Sequence, residues 1–241
     1  MWILITVQLF MIGLFFLLGW AIRKKKAYSL ISGFATRPLE EQQQLIENGY
    51  PQKTGAMLQI TAVGMLLLLP LVFTDIKFAM EIEFGFMLFF LLGGFVYLSK
   101  FELPKKRKRS YIISTSFFVV ITGFVVGLYI LGYQEYELIM KKQSFEITGM
   151  YGIEWEIQDI KRIELLEEMP KVTSKQNGFG LATLAKGYFT VTGYGRSLLF
   201  IQKDHAPYLY IELSNKKIFI NNENPDTTKK WYQELNTAVT H

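Results

Sequence analysis

Four stretches of this chain carry no charged side chain: Trp2–Ile22, Thr54–Thr74, Phe84–Ser99 and Ser110–Gln134. A hydrocarbon core about 30 Å thick is crossed by roughly 20 helical residues, with a working range near 17–25. Three of the runs reach that length. The third is extended by Phe101 and by Lys100, whose aliphatic stem lies along apolar surroundings while its ammonium reaches the interface. The spacing predicts transmembrane helices over about 2–22, 54–74, 83–101 and 110–133. Residues 1–134 then form a membrane domain, and 135–241 a separate one.

The distribution of charge turns spans into a topology. The net charge is +5. Segments 23–53 and 100–109 hold twelve Lys and Arg against four acids, whereas 75–83 holds one Lys against three acids. Residues 135–241 are nearly balanced, with thirteen basic and fourteen acidic groups. The basic excess therefore reports membrane topology and gives no reason to expect a nucleic-acid partner. Short loops rich in Lys and Arg stay in the cytoplasm. Two clusters carry the signal: Arg23, Lys24, Lys25 and Lys26 after the first span, and Lys105, Lys106, Arg107, Lys108 and Arg109 before the fourth. The acidic connector Asp75–Glu83 is expected outside, together with residues 135–241. Reading the first span as a cleaved signal peptide fits poorly, because its positive charges follow the apolar run and no small-x-small site is present.

Between the first two spans, Thr36 and Pro38 mark a helix start and Asn48-Gly49 its end, with Leu39, Leu45 and Ile46 as a modest apolar side. A short cytoplasmic helix near the membrane and a solvated connector both fit. No Asp, Glu, Lys, Arg or His falls within an uncharged run, which argues against a transporter or intramembrane protease, since both need groups that bind or transfer charge. Gly123 and Gly127 make a GxxxG step, expected to serve a tight internal packing contact. Pro70 is expected to kink the second span.

After Gln134 the pattern changes to short alternating runs. Strands are predicted at Glu137–Lys141, Phe145–Thr148, Ile153–Ile157, Arg162–Glu167, Tyr188–Thr192, Ser197–Gln202, Tyr208–Leu213 and Lys217–Asn221. Gly193-Tyr194-Gly195-Arg196 and Ser214-Asn215-Lys216 suit hairpin turns. A final helix is expected to start at Asn224 with Pro225 in its first turn, and to place Trp231, Leu235 and Ala238 on the face that covers the sheet. The predicted fold is thus a multi-domain membrane protein: a four-helix transmembrane bundle followed by a β-roll or barrel capped by one α-helix.

Particular residues sharpen this. Tyr151-Gly152-Ile153, Asp159-Ile160, Ile163-Glu164-Leu165-Leu166, Met169-Pro170, Asn177-Gly178-Phe179, Gly187-Tyr188-Phe189, Gly193-Tyr194-Gly195 and Pro207-Tyr208 run in an order that resembles the bacterial pleckstrin-homology-like (PH-like) domain family across roughly residues 135–240. Separately, Leu30-Ile31-Ser32-Gly33-Phe34 with Glu40-Glu41 looks like a family of small bacterial membrane proteins of unknown function. The first resemblance implies a PH-like roll, and neither implies an activity.

Chemistry is sparse. Cysteine is absent, which removes disulfides, thiol catalysis and cysteine metal sites. The two histidines, His205 and His241, support neither a zinc site nor a triad, because no nucleophile elbow accompanies His205. Glu154 and Glu156 flank Trp155 as a half-buried strand would. Asn177-Gly178-Phe179-Gly180 and Gly193-Tyr194-Gly195 lack phosphate-loop spacing and read as turns. The stretch Met169–Gly180 reads as a long loop. With Tyr194, Arg196 and Tyr208 it forms the candidate binding surface, in which Asn177 and Phe179 are the loop's contributors.

The expected role is a non-enzymatic envelope protein, without metal or cofactor, whose extracytoplasmic PH-like domain binds a protein partner or itself. Two alternatives are lipid or small-ligand binding by that domain and an accessory role to a membrane transporter or enzyme. Membrane lipids are the remaining expected partners, with lipid contact at the basic clusters secondary to their anchoring role. An alkaline-phosphatase fusion at the C-terminus should be active in a bacterial host and a cytoplasmic reporter inactive; the reverse pattern would invert the topology.

Overall fold

The computed structural model describes residues 2–240, so the terminal His241 lies outside the described residues. It divides into two compact units between Val125 and Val126.

In the first unit, α1 (Trp2–Lys24), α3 (Tyr50–Leu68), α4 (Ala79–Leu98) and α5 (Pro104–Gly132) follow the four apolar runs, the residues of α5 from Val126 on belonging to the second unit, and α2 (Leu39–Glu47) lies between the first two. All four long helices are long and apolar enough to cross a membrane, α3 and α4 with the short 3₁₀ turns Leu69–Phe73 and Ser99–Phe101 that continue them. The helices run past the uncharged runs. Lys105–Arg109 lies in the first turns of α5 instead of in a loop, and Glu81 and Glu83 belong to α4 instead of to the connector. Pro70 does not kink a continuous helix. The α-helix ends at Leu68 and gives way to the 3₁₀ turn, because proline removes an N–H and clashes with the preceding turn.

Tight packing occurs between α1 and α3. A Cβ placed on Gly19 would stand 2.5 Å from the Gly55 carbonyl oxygen, and one on Gly55 would stand 2.8 Å from that of Gly19. One turn on, Arg23 Nη1 donates to Gln59 Oε1 at 2.6 Å. The expected contact at Gly123 and Gly127 is not formed, since a Cβ at either would meet nothing within 4 Å. A glycine pair predicts the surface one helix offers but not which neighbour takes it. The segment between α1 and α3 holds the short helix the sequence suggests, with Pro38 and Asn48 as its caps, and is not a solvated connector. Leu45 is fully buried in a small cluster with Ile22, Ile31, Phe34 and Leu103, whereas Leu39, at the helix start, is 82% exposed.

Among the described residues, the second unit holds nine strands and a closing helix. β1 (Leu138–Met140), β2 (Ser144–Ile147) and β3 (Glu154–Glu156) form an antiparallel three-stranded sheet. The other six are β4 (Ile160–Leu166), β5 (Val172–Gly180), β6 (Leu184–Val191), β7 (Gly195–Gln202), β8 (Tyr208–Leu213) and β9 (Lys217–Ile220). They form a mixed sheet in the order β4-β8-β9-β7-β6-β5, parallel only at β7–β9. Alternation along the strands gives this sheet two apolar faces. Leu198, Phe200, Leu209, Ile211, Ile218 and Ile220 pack with Phe145 and Ile147 of the small sheet and with Trp231 and Leu235 of α6 (Pro225–Thr240). Their neighbours Leu199, Ile201, Tyr208, Tyr210 and Phe219 form the second cluster. The Asn224 side chain accepts from the Asp226 N–H at 3.0 Å and so caps α6 as the sequence suggests.

The chief departure is β5, nine residues of strand where Met169–Gly180 reads as a loop. Gly178 and Gly187 face each other across β5 and β6, where a Cβ on either would collide with the other strand's backbone. These glycines permit a close approach of strands and do not make a turn. Gly193 (φ 82°) and Gly195 (φ 72°) do serve the β6–β7 hairpin.

Gly19→Leu should destabilise the protein in detergent by about 1–3 kcal/mol, the usual cost of overpacking, while Gly127→Leu leaves it unchanged. Thermal melting of the two variants against the parent checks this.

Candidate functional site

The six-stranded sheet has two edge strands, β4 and β5, and β5 is the longer. The strand Val-Thr-Ser-Lys-Gln-Asn-Gly-Phe-Gly pairs on one side with β6, and its first six residues are exposed. No backbone hydrogen bond to another segment leaves its outer side among the described residues. Register irregularities between Val172 and Ser174 and between Lys175 and Asn177 twist the first part, while Asn177–Gly180 pairs regularly with Ala185–Tyr188. Thr190 anchors the irregular part: Ser174 Oγ and Gln176 Nε2 lie 3.1 and 3.0 Å from its hydroxyl, and Thr173 Oγ1 donates to its carbonyl at 3.1 Å.

The five residues singled out in the sequence divide between the two faces of the sheet. Asn177 stands opposite Tyr188, whose ring lies 4.8 Å beneath the Arg196 guanidinium, a cation–π arrangement. Tyr151 completes this group, its ring edge-on to Tyr188 at 6.4 Å and its hydroxyl donating to Asn177 Oδ1 at 3.3 Å. Phe179, two residues along from Asn177, packs close to Gly132 at the end of α5. Tyr194 and Tyr208 belong to the second cluster instead, with Tyr194 edge-on to Tyr210 at 4.8 Å and to Phe219 at 5.0 Å. Burial raises the Tyr208 phenol, as does the nearby Asp204. Tyr208 is a core residue. Tyr151 and Tyr188 escape sequence reading because only the fold brings them beside Asn177, Tyr188 through the β5–β6 register and Tyr151 from the turn between β2 and β3. His205 makes a local turn contact, Nδ1 lying 2.7 Å from the Lys203 carbonyl oxygen.

The segment leading into β1 is held to the sheet by polar bonds. Lys186, 3% exposed, donates to the Gln134 carbonyl and lies 4.9 Å over the Tyr136 ring. The Tyr136 hydroxyl donates to the Asn221 carbonyl at 2.9 Å, and the Tyr133 and Thr183 hydroxyls are 3.1 Å apart. Desolvation lowers the Lys186 ammonium to about 8, against the opposing pull of Glu135.

In the helical unit, Arg37 makes a two-point contact with Glu102, at 2.7 and 2.9 Å. Burial alone would raise the Glu102 carboxyl, but the Arg37 bonds, the Leu103 N–H and the Lys106 charge hold it below the usual carboxylate range. Lys106 in turn reaches Glu41 at 2.6 Å. Elsewhere Glu83 is fully buried within α4 and accepts a hydrogen bond from Gln8 of α1. One oxygen of each side chain, Oε1, is buried with no partner. A carboxyl group therefore lies inside a candidate span, at the first residue of the stretch 83–101 expected from the sequence, although none falls within the charge-free run. The charge-free run begins at Phe84, but the helix begins five residues earlier.

Comparison with known proteins places one likeness on this frame. Residues 9–102 are similar to a family described as Domain of unknown function (DUF3784). The chain matches no curated protein and no solved structure. The similar stretch covers α1 to α4 and closes at Glu102, the partner of Arg37, so that α5 and the β unit lie beyond it. It contains the Leu30–Phe34 and Glu40-Glu41 stretches.

The position of Lys186 sets a pH dependence. The unfolded chain holds the Lys186 proton up to about pH 10.4, whereas the folded protein releases it near 8. Between these values the unfolded state binds more protons, so stability contributed by this group rises with pH and is lost as pH falls toward 8. Hydrogen exchange of β6 and β7 in the full-length protein should show protection rising from pH 8 to 10.4 after correction for intrinsic exchange, and Lys186→Met should flatten that rise.

Proposed function

We propose that this is a non-enzymatic multi-pass membrane protein whose β unit lies on the extracytoplasmic side and binds an extended protein segment along the β5 edge. The reading rests on one observation above the others, the nine-residue strand whose outer side has no backbone partner. An unpaired edge presents a row of N–H and C=O groups that an incoming strand can complete, with side-chain pockets supplying selectivity. The regular stretch Asn177–Gly180 is the part best formed for pairing, and the neighbouring Tyr151, Tyr188 and Arg196 offer aromatic and cationic contacts beside it. The irregular first part, twisted and carrying Lys175, keeps the edge from pairing indiscriminately.

Outward placement follows from the basic clusters flanking α1 and α5. The PH-like character of the β unit rests on the order of matching residues and on a strand-rich core closed by a single C-terminal helix. Headgroup binding by this unit is disfavoured by its balanced charge, with thirteen basic and fourteen acidic groups in residues 135–241.

A photo-crosslinking amino acid at Gln176, in the full-length protein expressed in membranes, should give a discrete set of protein adducts, and the same group at Lys229 on α6 should not. Charged gatekeepers at the edge, Val172→Lys with Gln176→Lys, should abolish capture by a probe at Asn177. Equal labelling from both faces would sink the reading.

A further inference from the structure

The cavities of the helical unit include one that is polar at one end and apolar along the rest. It is a groove of about 700 Å³ between α4 and α5. Leu92 and Phe95 of α4 form one wall, and Ile113, Phe117 and Ile121 of α5 form the other. At the basic end, Arg109, Ser110 and Ser114 line it together with the Arg37–Glu102 pair and Lys106.

The lining of α5 follows from helical spacing. Arg109, Ile113, Phe117 and Ile121 recur every four residues and so fall along one stripe. At 1.5 Å per residue, the distance from Arg109 to Ile121 is about 18 Å, slightly more than the ~15 Å of one leaflet's hydrocarbon. The stripe is open to the side: Phe117 is 60% exposed and Ile113 45%, and none of the apolar window of α5 is buried within the chain.

Charge bookkeeping at the mouth singles out one group. The Arg37 charge is met by Glu102 and the Lys106 charge by Glu41. Arg109 is exposed and has no acidic partner among the described residues. Next to it Ser99, Ser110 and Ser114 form a hydroxyl group with Ser99–Ser110 and Ser99–Ser114 oxygen distances of 2.8 and 3.0 Å. An uncompensated guanidinium suits a phosphate; the hydroxyls beside it make its surroundings polar, although Ser99 and Ser114 already donate to the Phe95 and Ser110 carbonyls. Three turns of apolar wall beneath it suit a hydrocarbon chain, and a free phosphate would leave them unused.

We infer that this groove binds one anionic glycerophospholipid. Its phosphate sits at Arg109 beside Ser110 and Ser114, and an acyl chain lies along Ile113, Phe117 and Ile121. This site lies outside the β unit and does not depend on the reading of its β5 edge.

Native mass spectrometry of the full-length protein in dodecylmaltoside, titrated with dioleoyl phosphatidylglycerol or dioleoyl phosphatidylcholine, tests this. One phosphatidylglycerol should be retained in preference to phosphatidylcholine. Arg109→Gln should weaken that binding about fivefold, the equivalent of about 1 kcal/mol for one basic group near an anionic surface, and leave phosphatidylcholine unaffected. Ile113→Trp, which fills the groove, should lower retention with Arg109 intact. Equal retention of the two lipids would overturn the proposal. So would an equal loss in Lys108→Gln, whose charge lies off the groove, or competition by glycerol phosphate alone as strong as by the intact lipid.

Discussion

A charge in hydrocarbon costs about 2.5–3.5 kcal/mol even on the most lenient scale, and this constraint arranges the helical unit. It keeps the apolar stretches of the long helices free of cations, collects Lys and Arg at one end of α1 and α5, and makes each charge drawn inward find a partner. Arg37 and Glu102 illustrate the last point. Glu102 is 4% exposed at the end of α4, and Arg37 meets both of its oxygens. The pair fastens the segment before α2 to the α4–α5 turn, over the small core around Leu45. Removing either member would leave the other charge poorly solvated, a larger loss than the value of the bond itself.

Glu83 meets the same constraint differently. It has no cation, only the Gln8 amide, and an unpartnered oxygen remains on each side chain. A polar pair joining α1 to α4 also gives those helices a specific register, which greasy faces alone do not supply, since lipid is as apolar as leucine.

Where sequence reading succeeded and where it failed follows from the range of the forces involved. The four spans were legible because desolvation acts on every residue of a run, so absence of charge is a cumulative signal. Most strands and α6 were legible from alternation and capping, as at Tyr208–Leu213 and Asn224. By contrast β5 is polar almost throughout, since one side faces solvent and its pairing energy comes from the backbone, which leaves no hydrophobic period to read. The Gly19–Gly55 contact was invisible for another reason. Each glycine is unremarkable in its own helix, and only the meeting of α1 and α3 gives them meaning, whereas the more conspicuous Gly123 and Gly127 contact nothing. The candidate surface was half legible: Asn177, Phe179 and Arg196 fall on one face, but Tyr194 and Tyr208 were drawn into the core. Aromatic turn residues look alike in sequence whether they face solvent or a neighbouring ring.

The similarity that ends at Glu102 separates two kinds of structure within one chain. In the part before it, α1, α3 and α4 bury close glycine contacts and the Gln8–Glu83 pair, and α2 packs at its basic end together with Leu103 just beyond. α5 is different. It carries the densest cluster of cations, buries none of its apolar window, and runs on into a segment that Lys186, Tyr133 and Tyr136 fix to the sheet. A helix with so little protein against it must find its apolar contacts in lipid, and its cations set the depth at which it sits. Its two ends are therefore held by different chemistries: the Lys106–Glu41 ion pair at its start, and the hydrogen bonds of Tyr133, Gln134 and Tyr136 just past its end. Disturbing one end should leave the packing at the other intact, because no residue takes part in both.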